Sequence, residues 1–167
     1  MPLYHLKLKI ELENIECIQK IPNNLWKFDI NSLAGDTKEG ITISEEDVLE
    51  LDSSKGDANF VMKWSGSNQQ AYIKIIKNKL IHDKYTCNNS NSGSFVNILG
   101  LECRNLEISK WHPSIDFIAY GKEDSNGDAT VFDEVDLSDL DDGWCDYDEK
   151  TNESVSITNL QYEIVKA

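Results

Sequence analysis

The chain has 167 residues, 40% of them hydrophobic and 28% charged, with 30 acids against 16 bases and a net charge of −14. That length suits one domain able to bury roughly 70% of its unfolded surface, and the mixture excludes disorder over the whole chain. The charge argues against a nucleic-acid or anionic-membrane surface, because a strongly negative field repels phosphate; it favours a basic partner.

The opening MPLYHLKLKIELEN alternates charged with aliphatic residues and has no apolar signal-peptide core. In it Leu6, Leu8, Ile10 and Leu12 alternate with Lys7, Lys9 and Glu11, the period of two expected of a strand. Trp26, Phe28 and Ile30 repeat that period around Lys27 and Asp29. Residues 44–51 carry the one helix-like spacing, with Val48 and Leu51 three apart. Further strands are predicted over 71–76, 94–103, 115–121, 129–135 and 154–165, where β-branched and aromatic residues concentrate. Turn chemistry separates them at Pro22-Asn23-Asn24, Gly35-Asp36, Ser65-Gly66, 88–93 and Asn126-Gly127-Asp128. Many short strands and frequent turns predict an all-β fold, an antiparallel sandwich or barrel.

An internal repeat is visible at an offset of 91. Glu11, Asn14, Glu16 and Pro22 recur as Glu102, Asn105, Glu107 and Pro113, and Trp26 maps onto Phe117. Each half reads as a strand, an Asn-Ile-Glu or Asn-Leu-Glu turn, a proline and an aromatic strand. The expectation is two pseudo-symmetric β subdomains, about 1–90 and 91–167, sharing one core in a single domain over 1–167, with the strands before the two turns paired to each other.

No run approaches the ~20 apolar residues of a membrane helix, and a cytoplasmic location is expected. The four cysteines, Cys17, Cys87, Cys103 and Cys145, form no Cys-x-x-Cys pair, so spacing offers no zinc ribbon or redox motif. A cysteine–histidine nucleophile pair such as Cys103 with His112 can be drawn, but no orienting acid or oxyanion hole accompanies it at a recognisable spacing, and Cys103 lies in a strand pattern where cysteine is usually a small buried hydrophobe. Gly127 gives the nearest approach to a calcium loop, with Asp124, Asn126 and Asp133 at ligand positions. Lys122 at the first position destroys it. Phosphate-binding and hydrolase motifs are absent, so no enzyme is expected. Residues 133–149 hold nine carboxylates interrupted by Trp144, Cys145 and Tyr147. They read as a solvated acidic loop tied down by its aromatics, or as a surface for a basic protein partner formed by Asp139, Asp141, Asp142, Trp144, Asp146, Tyr147, Asp148 and Glu149.

The segment Leu101-Glu102-Cys103-Arg104-Asn105-Leu106-Glu107 resembles the Glu-Cys-Arg-x-Leu-Glu stretch of the eukaryotic CXXC-motif-containing zinc-binding protein family. Gly143 to Lys150 is similar to its Trp-x-Asp-Tyr-Asp-Glu-Lys stretch, and Glu153-Ser154-Val155 to the Glu-Ser-Val beyond that stretch. Tyr162 to Lys166 is similar to the family's C-terminal end, and Leu12 to Ile15 to its opening strand. The resemblance implies an all-β pseudo-two-fold fold, no established enzymatic activity, and strand or irregular structure rather than helix at 44–51. It also implies one zinc held by two Cys-x-x-Cys pairs. Here those four positions are Ser32 and Gly35, six and nine residues after Trp26, and Trp64 and Ser67, after Gly56, Ala58, Val61 and Lys63. All four thiolates are missing, so no metal and no cofactor is expected, and Trp64 is the expected filler. The expected function is a zinc-free, non-catalytic protein-binding or adaptor module. A zinc- or copper-handling protein with a different site is the alternative.

Overall fold

The computed structural model describes residues 2–52, 56–86 and 95–167, and no helix occurs among them. The turn predicted at 88–93 and Cys87 lie outside the described residues. The strands are β1 (Leu3–Glu13), β2 (Ile15–Lys20), β3 (Trp26–Asn31), β4 (Thr37–Ile43), β5 (Leu49–Glu50), β6 (Asp57–Ala58), β7 (Phe60–Lys63), β8 (Gln70–Ile76), β9 (Lys84–Thr86), β10 (Val96–Arg104), β11 (Glu107–Trp111), β12 (Phe117–Gly121), β13 (Val131–Val135), β14 (Trp144–Asp148) and β15 (Glu153–Lys166). Every pairing is antiparallel. The segment 44–51 forms a turn closed by Asp47 N donating to Ser44 O (3.2 Å), then the short strand β5.

A six-stranded sheet runs β14-β15-β1-β10-β8-β7. A three-stranded sheet runs β11-β3-β4, and a four-stranded one β13-β12-β2-β9. The period-two pattern of β1 explains its place at the centre: Leu6, Leu8 and Ile10 are buried on one face. They join one hydrophobic cluster with Ile73 and Leu101 of the same sheet, Phe28 and Ile41 of the second, and Phe117 and Tyr85 of the third. Each such aliphatic side chain contributes roughly 1.5–3 kcal/mol by leaving water.

The repeat is visible in the strand order. The six-stranded sheet reads the same from both ends, with the β14–β15 hairpin on β1 and the β7–β8 hairpin on β10. At its centre Lys7 faces Asn97, one residue from Ile98, its own counterpart at the offset of 91. After β1 the chain turns through Asn14 (φ 57°), and after β10 through Asn105 (φ 59°). Asparagine tolerates this left-handed conformation better than most residues with a side chain. Both amides then do the same job: Asn14 Nδ2 donates to Ser154 O (2.8 Å), and Asn105 Nδ2 donates to Gln70 O (2.9 Å). Past these turns the halves exchange strands. β2 joins the β12–β13 hairpin of the second half, and β11 joins the β3–β4 hairpin of the first.

Seven of the strands, β2, β4, β6, β7, β9, β11 and β14, were not among those predicted. β6 and β9 are only two and three residues long, and in β7 Phe60, Val61 and Met62 are all only half-buried.

Candidate functional site

Two four-residue turns face one cavity. In the first, joining β3 to β4, Gly35 N donates to Ser32 O (3.2 Å) and Ser32 N to Asp36 O (2.7 Å). Ser32 is buried, and its hydroxyl oxygen accepts the amides of Ala34 (3.2 Å) and Asp36 (2.9 Å). In the second, joining β7 to β8, Ser67 N donates to Trp64 O (3.0 Å). The cavity between them, about 290 Å³, is lined by Ser32, Leu33, Trp64, Ser67 and Asn105, among others. Trp64 packs half-buried against the core and its indole N–H donates to Asn105 O (2.9 Å). The four positions that the resemblance assigned to metal ligands, Ser32, Gly35, Trp64 and Ser67, thus stand at the ends of two turns that meet.

These residues do not fit a zinc ion. Glycine offers no side-chain ligand, an indole N–H is a donor only, and Ser32 already spends its oxygen on two amides. Among the described residues no group of three or more His, Cys, Asp and Glu could hold a metal.

The acidic stretch occupies β13, β14 and the segment between them. Eight of its nine carboxylates are exposed: Asp133, Glu134, Asp136, Asp139, Asp141, Asp142, Asp146 and Glu149. Asp139 orders the loop, its Oδ1 accepting the amides of Asp141 (3.1 Å) and Asp142 (3.0 Å). Trp144 is half-buried, edge-on to Phe132 at 5.3 Å, and so ties the loop to the sheets. Tyr147 is 49% exposed and Leu140 41%. Asp148 corrects the expected partner surface. It is fully buried, because the same strand that points Tyr147 outward points its neighbour inward.

Asp148 is a structural carboxylate. Thr130 Oγ1 donates to its Oδ1 (2.6 Å), as does Lys150 N (3.0 Å). A side chain added at Gly121 would sit 2.5 Å from its Oδ2, which explains the glycine there. Burial pushes this carboxyl up, but the hydrogen bonds from Thr130, Lys150 and Thr151 outweigh that and hold it below the usual range. A lowered folded value contributes stability that is complete above the unfolded value of about 3.9 and is lost as pH falls through the folded one. Asp148→Asn is therefore expected to lower the melting temperature at pH 7 and to flatten its decline below about pH 4. Melting curves of equal acid slope for the two proteins would contradict this.

The cysteine–histidine pair does not form. Cys103 is buried in β10, and burial, with Glu102 nearby, pushes its thiol up to about 12. His112 follows β11 in a different sheet, its Nε2 2.7 Å from Asp29 Oδ1. The calcium-like loop is closed on itself: Asp124 Oδ1 accepts the amides of Asn126 (2.8 Å) and Asp128 (3.0 Å).

The family described as CXXC motif containing zinc binding protein, eukaryotic, matches residues 5–165. The chain belongs to this family. It is 35% identical over 127 residues to UPF0587 protein C2D10.03c of Schizosaccharomyces pombe, covering 76% of this chain and 72% of that one. It is 30% identical over 168 aligned positions to the CXXC motif containing zinc binding protein of Rattus norvegicus, covering 96% of each. Among solved structures, a hypothetical protein from Plasmodium falciparum superposes with a TM-score of 0.83 at 32% identity, over 99% of this chain and 100% of that one. The crystal structure of C1orf123 gives 0.83 at 28% identity, over 99% of each. The fold is therefore that of the CXXC zinc-binding family, in a chain that contains no Cys-x-x-Cys.

One feature of the site lay unread in the sequence. Ser32-Leu33-Ala34-Gly35-Asp36 and Asp124-Ser125-Asn126-Gly127-Asp128 share a capping residue, then Gly-Asp at the same spacing. Comparing the two halves past Asp29 with a shifted offset would have found it.

Proposed function

We propose that this family member is a non-catalytic, intracellular protein-binding module whose acidic second half receives a basic protein partner. One observation carries the reading: the charge is divided unequally. Residues 91–167 hold 17 acids against 5 bases, so −12 of the net −14 belongs to that half. Exposed Leu140 and Tyr147 stand within its densest stretch and offer apolar contact to a partner drawn in by charge. The same field disfavours nucleic acid and anionic membrane. Among the described residues no helix is long and apolar enough to cross a membrane. The non-catalytic part of the reading rests on Cys103, whose thiol is buried and protonated, and on His112, which is engaged by Asp29 in a different sheet from Cys103.

The test is capture of partners from extract of the source cell across a salt series. Between about 0.1 M and about 1 M salt the Debye length falls from about 10 to about 3 Å. Captured partner is expected to fall on the order of ten-fold or more over that range. Capture that does not change with salt would sink the electrostatic reading.

A further inference from the structure

The turn pair that faces the cavity has a twin. The internal two-fold relates the β3–β4 hairpin to β12–β13 and the β7–β8 hairpin to β14–β15. In the first pair of hairpins the loops match bond for bond. Asp124 N donates to Asp128 O (2.8 Å) as Ser32 N does to Asp36 O (2.7 Å), and Gly127 N donates to Asp124 O (3.0 Å) as Gly35 N does to Ser32 O (3.2 Å). The Asp124 carboxylate accepts the amides two and four residues on, and so does the Ser32 hydroxyl. Gly35 and Gly127 share a left-handed backbone, with φ of +98° and +81°. In the second pair, Lys63 faces Gln70 and Tyr147 faces Ser154, the two carbonyl residues held by Asn105 and Asn14. The next residues, Trp64 and Asp148, therefore correspond. Each fastens its turn by a hydrogen bond, Trp64 Nε1 donating to Asn105 O and Asp148 Oδ1 accepting from Thr130 Oγ1.

We infer that the Ser32–Gly35 and Trp64–Ser67 turns close without zinc in this chain, as a side-chain-capped hairpin loop built like its twin, and that this part of the fold is independent of metal. The second half shows that the fold closes such a loop with its own amides and one capping oxygen. The first half has the same closure, with serine as the cap. Gly35 carries the argument beyond a missing thiol. Among the described residues beyond its chain neighbours, nothing lies within 4 Å of where its side chain would begin, so space is no obstacle. Its dihedral is: a residue with a Cβ is strained at this φ, so a ligand cannot stand there without the backbone moving. The geometry of the turn, and not only its missing thiols, keeps a ligand from this position. This inference goes beyond the protein-binding reading and does not depend on it.

The experiment is elemental analysis of protein made without an affinity tag, with thermal unfolding in the presence and absence of a strong chelator, on the full chain and three variants. The expected result is no stoichiometric zinc and a midpoint that the chelator does not move. Ser32→Ala and Asp124→Ala are each expected to lower the midpoint by about 2–4 °C, the size of a lost cap. Zinc that is retained in the Ser32→Ala, Ser67→Ala double variant lies elsewhere and leaves these turns metal-free as inferred. One zinc per chain that this double variant loses would overturn the inference. So would a chelator-lowered midpoint restricted to the protein with both serines, or a Ser32→Ala midpoint equal to that of the unaltered chain.

Discussion

Replacing Trp111 with alanine is expected to destabilise the protein by about 4 kcal/mol, lowering its melting temperature by roughly 10 °C. Trp111 ends β11, the strand that the second half lends to the β3–β4 hairpin, and it is fully buried. Its ring lies 6.4 Å from that of Trp26 in the neighbouring strand and 5.4 Å, edge-on, from Tyr162 of the large sheet. One side chain thus joins two sheets and both halves, and the surrounding strands cannot collapse into the space it leaves. The indole N–H makes no hydrogen bond among the described residues. Trp111→Phe therefore gives up volume but no hydrogen bond, and about 1–2 kcal/mol is expected for it. Denaturant unfolding of both variants checks the account; a phenylalanine as damaging as alanine would contradict it.

Trp64→Ala is expected to cost about 2 kcal/mol, less than a fully buried tryptophan because the ring is half-exposed. Two contributions combine: apolar area returned to water, and the Asn105 carbonyl left without its donor. Asn105 is the left-handed pivot that swings the chain from β10 to β11, so the loss is felt where the halves exchange strands. Ser67→Ala, at an exposed corner whose hydroxyl accepts the amide of Gln69 (3.2 Å), is expected within about 0.5 kcal/mol of the unaltered protein. Equal unfolding midpoints for the two variants would sink the idea that the indole fills and fastens this turn pair.

The fold was legible where burial has a simple period. β1 from Leu6 onward, β3 and the core of β12 alternate because each has one face in a shared core. The repeated Asn-Ile-Glu and Asn-Leu-Glu turns were legible because a left-handed position selects asparagine, and that constraint survives when the surrounding residues change. β14 was hidden for the opposite reason. Cys145, Asp146 and Tyr147 are exposed, and its inward residues are an anchor and a buried acid rather than a row of aliphatics. Asp148 was misplaced on the surface because its burial depends on Thr130 and Gly121, which sequence distance conceals. The site positions came from resemblance. What the sequence did not disclose is that Ser32 is a cap saturated by two amides, since only a closed turn shows which oxygen they reach.

The shared architecture does not even out the charge. Strand exchange gives both halves one core, yet the acids concentrate on the second, where β13, β14 and their connecting segment present them without nearby compensation beyond a few bases such as Lys150. Under the proposed function, this is the side that a partner's basic surface would meet first.

The most direct measurement compares two variants that remove equal charge. One carries Asp139→Asn, Asp141→Asn, Asp142→Asn, Asp146→Asn and Glu149→Gln, with amides that preserve the acceptor oxygens of the loop. The other carries Glu16→Gln, Glu39→Gln, Glu46→Gln, Asp47→Asn and Glu50→Gln, exposed acids of the first half. With unfolding midpoints matched to the unaltered protein, partner capture at low salt is expected to fall on the order of ten-fold in the first variant and to hold in the second. Equal capture by both variants, whether retained or lost, would contradict an acidic docking face in the second half.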